Sequence, residues 1–218
     1  MASLKRWLDR RRNPWKGVFH DAYKAWKRDK GQARLERYDL SAGAVVFDFG
    51  GYVGAWTEDV LRSQPEAVVH VFEPHPGFAK SLHDKFANHN NVHVHSFALG
   101  AEDGHLTLSD AGDASSAVAD HATAFEAEIR SLDRFFADND IPDIALAKMN
   151  IEGGEYDLLP ALIDSGIMAR IGTLQVQFHL FEPRFSPVRD EIRKGLAVTH
   201  SCDWEYPFVW EQWSVKTG

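Results

Sequence analysis

The chain has 218 residues, 44% hydrophobic and 26% charged, with a net charge of −8 from 24 Lys and Arg against 32 Asp and Glu. Such a length and composition describe one ordinary globular domain with a core of its own. The acidic balance argues against a broad nucleic-acid-binding face, the single cysteine (Cys202) excludes an intrachain disulfide, and no apolar run reaches the ~18 residues of a membrane span.

Residues 1–40 carry 12 Lys and Arg against 5 Asp and Glu, leaving 12 against 27 in the remainder. This segment reads as a basic amphipathic extension, with helices at 3–12 and 15–30 broken at Asn13-Pro14. Leu4, Trp7 and Leu8 share one face, as do Trp15, Val18, Phe19, Tyr23 and Trp26. Two roles stay open for residues 1–30: a helical cap on the main domain or a second subunit, and a peripheral contact with a membrane or partner. The N-terminus is basic without the apolar segment of a secretory signal, so a cytoplasmic location is expected.

From 41 to 218 strands and helices alternate. Strand 44–50 leads to helix 55–64, and strand 67–73 to helix 77–87. Strand 92–98 follows, then a turn at Gly104 into Leu106-Thr107-Leu108. Residues 111–124 show no apolar period and read as a flexible loop. A helix near 130–138 precedes the apolar strand 144–149. Helix 154–169, strand 173–179 and helix 187–197 come next, and strands 203–210 and 211–216 close the chain as an edge hairpin. Alternation of this kind predicts an α/β, doubly wound, mostly parallel sheet with ligands at the strand C-termini.

The most informative run is Val45-Val46-Phe47-Asp48-Phe49-Gly50-Gly51-Tyr52-Val53-Gly54, an apolar strand entering a glycine turn and a helix. A second apolar strand ends on Glu73-Pro74. Together they predict an adenosine cradle: the turn (Gly50, Gly51, Tyr52, Gly54) admits the ligand to backbone, the helix offers free N–H groups, and Glu73 accepts from ribose hydroxyls. A dinucleotide G-x-G-x-x-G ending at Gly54 requires glycine at 49, where Phe49 stands. The pattern D-x-G-x-x-x-G instead points to S-adenosylmethionine (SAM).

Asp48 is expected to bond either the turn backbone or the ligand's amino group, since a buried carboxylate needs partners. Phe97 and Ala98, at the next strand tip, are read as flanking adenine, with plain core an equal reading for Phe97. At the fourth strand tip Asn150 is expected to orient a substrate or cofactor group, and Glu152 to act as a base or cap a helix. Period two places Gln175, Gln177 and His179 on one side of the fifth strand, and His179 at its mouth is the expected general base. His93 and His95 share a strand face, but no third ligand has a suitable spacing, so no metal is expected.

With these motifs in place, the chain resembles the FkbM family of SAM-dependent methyltransferases. The resemblance runs from about Ala44 to His179 through VVFDFGGYVG, VFEPHPGFAKSL, the ALG at 98–100, SLDRFF at 131–136 and KMNIEGGEYDLL leading to LQVQFH. It implies a class I methyltransferase (Rossmann-like) fold of seven strands, the last antiparallel, and O-methylation of a hydroxyl on a sugar, glycan or natural product. Two positions depart from the family pattern. Asn150 stands where K-I-D-V-E-G places Asp, which shifts the base role towards His179 or Glu152. Gly51-Tyr52 replaces alanine-asparagine, which brings Tyr52 near the methionine moiety. The alternatives are a non-catalytic SAM-binding protein and a nucleotide-dependent oxidoreductase or epimerase. Oligomeric state and acceptor stay open.

Overall fold

The computed structural model describes residues 13–109 and 124–217. In chain order the first half holds α1 (Lys16–Arg28), α2 (Gln32–Leu35), β1 (Val45–Phe49), α3 (Ala55–Ser63), β2 (Val68–Phe72), α4 (Pro76–Phe86), β3 (Val92–His95), β4 (Ala98–Gly100) and β5 (Gly104–Ser109). The second half holds β6 (Ala124–Ser131), α5 (Leu132–Asp138), β7 (Ile144–Met149), α6 (Glu155–Asp164), a 3₁₀ turn (Ile167–Arg170), β8 (Ile171–Val176), α7 (Phe185–Thr199), β9 (His200–Tyr206) and β10 (Trp210–Val215).

Seven strands form one sheet in the order β3-β2-β1-β7-β8-β10-β9. Only β10 runs against its neighbours. β1 is buried at all five positions, as a central parallel strand covered on both faces must be. Its alternating side chains feed two cores. Phe47 and Phe49 join Phe72, Met149 and residues of α5, α6 and α7 on one face. Val46 joins Val69, Val71, Val60, Leu82 and Phe86 on the other. The doubly wound expectation therefore holds, including the C-terminal edge hairpin.

Several boundaries differ from expectation. The single strand expected at 92–98 is two: β3 stays in the main sheet, and β4 pairs with β6 in a separate three-stranded sheet, β4-β6-β5. β6 lies largely between the expected loop and helix, overlapping the end of each, and α5 starts later, where Ser131 caps it by accepting from the Arg134 N–H. The helix expected over 154–169 stops at Asp164 because Gly166 adopts a left-handed φ of 78°. β8 ends at Val176, so His179 lies beyond the strand instead of on its inward row. The hairpin strands also begin earlier, and residues 207–209 make the turn. The helix expected at 3–12 and the loop 111–123 lie outside the described residues.

α1 packs on the hairpin. Its buried residues Ala22 and Trp26 meet Tyr206 and Val209, with the Trp26 and Tyr206 rings edge-on at 5.2 Å. The Tyr206 hydroxyl donates to Asp29 at 3.1 Å. The strap that follows, residues 29–37, is tied to the sheet where Gln175 Nε2 donates to the Leu35 carbonyl at 3.0 Å. The hairpin is in turn fixed by buried Glu211, whose carboxylate accepts from Arg189, Arg193 and Trp213.

Candidate active site

A cavity of about 680 Å³ opens where β1, β2, β7 and β8 end. That volume lies in the range of small-molecule sites, and its position is the strand-tip crevice where α/β sheets bind ligands. Its walls divide by origin. The turn after β1, Glu73, Pro74, Phe78 and the second sheet (Ala98, Leu99, Gly100, Leu106, Leu108, Ile129) make one half. The other half comprises Asn150, Glu152 and Asp157 after β7, Gln177 after β8, Trp210 of the hairpin, and Gln32 and Leu35 of the strap.

Beneath the turn lies a buried ion pair. Asp48, fully buried on β1, accepts from Lys148 Nζ at 2.9 Å and from the Thr57 hydroxyl at 2.8 Å. Lys148, its register partner on β7, also donates to the Gly50 carbonyl at 2.7 Å. Each Asp48 oxygen thus has a partner inside the protein, and what keeps the residue from the ligand is that it does not line the cavity. The expectation that Asp48 bonds the ligand is corrected: it braces α3 and, through Lys148, the turn. Lys148 received no role from the sequence, yet a lysine within Ile144-Ala145-Leu146-Ala147-Lys148-Met149 is a buried charge that demands an acid on the adjoining strand.

The turn itself has little freedom. Gly50 has φ 83°, and a Cβ there would sit 2.2 Å from the Asn150 carbonyl oxygen. Gly54, with φ 79°, is the left-handed residue that starts α3, and a Cβ would press on Leu82 and Phe86 at 2.9 Å. Gly54 therefore shapes the turn without lining the cavity, whereas Gly50, Gly51 and Tyr52 line it. Tyr52 is half-exposed at a left-handed φ of 48°.

Glu73 is 7% exposed. One carboxylate oxygen accepts from the Tyr52 N–H at 2.8 Å, the other from the His75 N–H at 2.9 Å. Burial pushes its pKa above the ordinary range, against the lowering effect of those two N–H groups. Each oxygen keeps a further lone pair for a donor in the cavity. Ala98 lines the wall as expected. Phe97 does not: it is buried in the main core with the Arg130 guanidinium 4.0 Å above its ring, as its plain-core reading has it.

On the other side, Asn150 reaches the cavity with a buried Oδ1 that has no hydrogen-bond partner, and Trp56 likewise presents a buried, unpartnered Nε1. Buried polar atoms of this kind are costly unless a ligand or water pairs with them. Glu152 lines the cavity at a left-handed φ of 49°. His179 does not line it. Its Nδ1 lies 3.0 Å from Glu155 and its Nε2 3.5 Å from Glu152, and its backbone N–H donates to Glu155 at 2.7 Å. Burial disfavours the charged ring, but the two carboxylates outweigh that and raise its pKa to about 9. The general-base role expected of His179 finds no support in this geometry: the ring is held between two acids, away from the cavity wall. Contact with His179 holds the Glu152 pKa below the usual carboxylate range.

Elsewhere, His70 Nδ1 and His95 Nε2 lie 3.0 Å apart, and burial pushes their pKa values down to about 4 and about 3. Among the described residues no group of three or more His, Cys, Asp or Glu side chains could hold a metal ion. No helix among them is long and apolar enough to cross a membrane.

The seven-strand order and the strand-tip cavity describe a Rossmann-like α/β fold, and solved structures of similar fold are known. A candidate rRNA methylase from Clostridium thermocellum superposes with a TM-score of 0.53 at 11% identity, covering 87% of this chain and 96% of that one. Precorrin-6y C5,15-methyltransferase from Geobacter metallireducens GS-15 is similar at a TM-score of 0.45 and 10% identity, covering 82% of each chain. No curated protein sequence matches. The methyltransferase FkbM domain matches residues 48–206, from the buried Asp48 to the end of β9. That match decides against the nicotinamide-dependent alternative: the chain is a methyltransferase and belongs to the FkbM family.

Proposed function

We propose that the protein transfers a methyl group from SAM to a hydroxyl of a sugar, glycan or natural product. Family membership implies the methyl donor, and the residues present fit it. In this reading the two free lone pairs on Glu73 accept from the ribose hydroxyls. The apolar wall of Ala98, Leu99, Leu106 and Ile129 receives the flat adenine, and Pro74 closes its edge. Gly50, Gly51 and Tyr52 border the methionine moiety, with Asn150 Oδ1 and Trp56 Nε1 as the polar atoms left to pair there or with the acceptor. When bound, SAM supplies the methyl as an electrophile on a sulfonium.

The chain's own task is then to align an acceptor oxygen and remove its proton. Glu152 is the carboxylate in the cavity wall, and it is the proton acceptor we assign. A strong base is unnecessary, because the hydroxyl proton becomes strongly acidic as its oxygen gains a methyl. His179 positions Glu152, and Glu155 holds His179 in turn. Asn150 orients the acceptor. Trp56 and Trp210 offer aromatic faces of the kind that pack on sugar rings.

The single observation behind this assignment is that Glu152 lines the cavity while both ring nitrogens of His179 face carboxylates. The test is methyl transfer from labelled SAM to a panel of sugar and natural-product hydroxyls. Transfer to one class, lost in Glu152→Gln, is the expected result. SAM binding without transfer to any hydroxyl would favour the non-catalytic alternative.

A further inference from the structure

We propose that Lys30, Arg34 and Arg37 form a binding site for a phosphate-type oxyanion, separate from the catalytic cavity and on the other side of the strap. All three are exposed on the strap, Lys30 ahead of the four-residue helix, Arg34 within it and Arg37 beyond its end. They line a second, smaller cavity together with Asp29, Ala33, Trp204 and Gln212. Gln32 and Leu35, from the same short segment, line the catalytic cavity instead. One four-residue helix therefore forms a wall of both.

Three observations give the groove its chemistry. None of the three cations has an ion-pair partner among the described residues, whereas the neighbouring Arg28 is matched by Asp29 at 2.7 Å and Lys24 by Asp21 at 3.6 Å. The carboxylate that does line the groove, Asp29, has its pKa held below the ordinary range chiefly by its hydrogen bond to Arg28, then by the Tyr206 hydroxyl and more weakly by the charge of Arg34. Trp204, half-buried and packed at 5.9 Å against Trp26, forms a fixed aromatic wall beside the guanidinium groups. Concentrated positive charge on a chain with net charge −8 is a local feature and not a bulk property. Two arginines with a lysine suit a tetrahedral oxyanion, since guanidinium forks donate in pairs to phosphate oxygens.

The catalytic cavity lacks such a centre. Its lysine, Lys148, is consumed by Asp48 and the Gly50 carbonyl, and its other lining residues are neutral or acidic. The two sites are also neighbours. Trp210 lines the catalytic cavity and Gln212 the groove, and these are alternate residues of β10, about 7 Å apart along the strand. This inference does not depend on the acceptor being a hydroxyl.

The test is calorimetric titration of inorganic pyrophosphate into the full chain, its Arg34→Ala/Arg37→Ala variant, and a Lys80→Ala/Lys194→Ala control that removes the same charge from exposed positions elsewhere. We expect saturable, salt-sensitive binding by the wild type, about tenfold or more weaker in the arginine variant and unchanged in the control. Absence of saturable binding, or equal weakening in the control, would overturn the site. S-adenosylhomocysteine affinity should be the same in all three proteins, and its loss in the arginine variant would attribute the effect to a disturbed strap and refute the separate site. Co-sedimentation with phosphatidylcholine vesicles containing phosphatidylglycerol identifies the source of the oxyanion. Pelleting that pyrophosphate reverses and the arginine variant lacks assigns a lipid headgroup, while pyrophosphate binding without pelleting assigns a soluble phosphate ligand. Either supports the site.

Discussion

The two halves of the catalytic cavity are built on different principles. The half proposed to hold the donor is braced from within. Asp48, Lys148 and Thr57 close a hydrogen-bond network under the turn, and Glu73 is pinned by two backbone N–H groups. The acceptor half is assembled from parts distant in sequence: Gln32 from the strap, Trp210 from the hairpin, and the Glu152–His179–Glu155 cluster after β7 and β8. It also retains an unpartnered Asn150 Oδ1. The first half is organised around its own backbone, so one ligand suits it. The second draws its walls from separate elements, the loop-borne parts of a fold on which site chemistry varies.

Breaking the braced half should have the largest effect. Lys148→Met leaves Asp48 as an unpaired buried charge and is expected to destabilise the protein by about 3–5 kcal/mol. Urea denaturation measures this, and Lys148→Met/Asp48→Asn should recover part of the loss. A single variant as stable as the wild type would mean the brace carries no weight.

The next largest effect lies across the cavity. Glu152→Gln should lower turnover by roughly a hundredfold, the usual scale for losing a proton acceptor. Turnover within a few-fold of wild type would remove Glu152 from the reaction.

A smaller, pH-dependent effect separates clamp from base. The folded-state pKa of His179 is about 9 against an ordinary 6.5. Stability gained from its protonated form is thus fully present below about 6.5 and is lost as pH rises through about 9. His179→Gln should accordingly be less stable than wild type at pH 6, and the gap should close towards pH 9. Thermal melts across that range provide the measurement. A constant gap would point to packing alone.

Legibility in the sequence follows the same division. The donor half is nearly contiguous, and its steric demands fall on named residue types: glycine where φ is positive or backbone approaches closely, an acid at the end of β2. Local patterns therefore reveal it. Asp48 was legible as buried and polar, but its partner lies one hundred residues away, and only the register of β1 against β7 joins them. Period two reads His179 as a strand-mouth residue, but β8 ends at Val176, and its contacts with Glu152 and Glu155 come from the segment after β7. The strap left no local signal, since Gln32 and Leu35 acquire their positions from the docking of Trp26 and the Gln175 bond. The second sheet was hidden because β4 continues the alternation of β3 while pairing elsewhere.

The division itself is tested most directly by titrating S-adenosylhomocysteine into wild type, Glu73→Gln and Glu152→Gln by calorimetry. Glu73→Gln should bind about tenfold more weakly, as expected for weakened charge-assisted hydrogen bonds, and Glu152→Gln should bind as the wild type does. Equal affinity in all three proteins, or equal loss in both variants, would contradict the assignment of Glu73 to the donor and Glu152 to the acceptor.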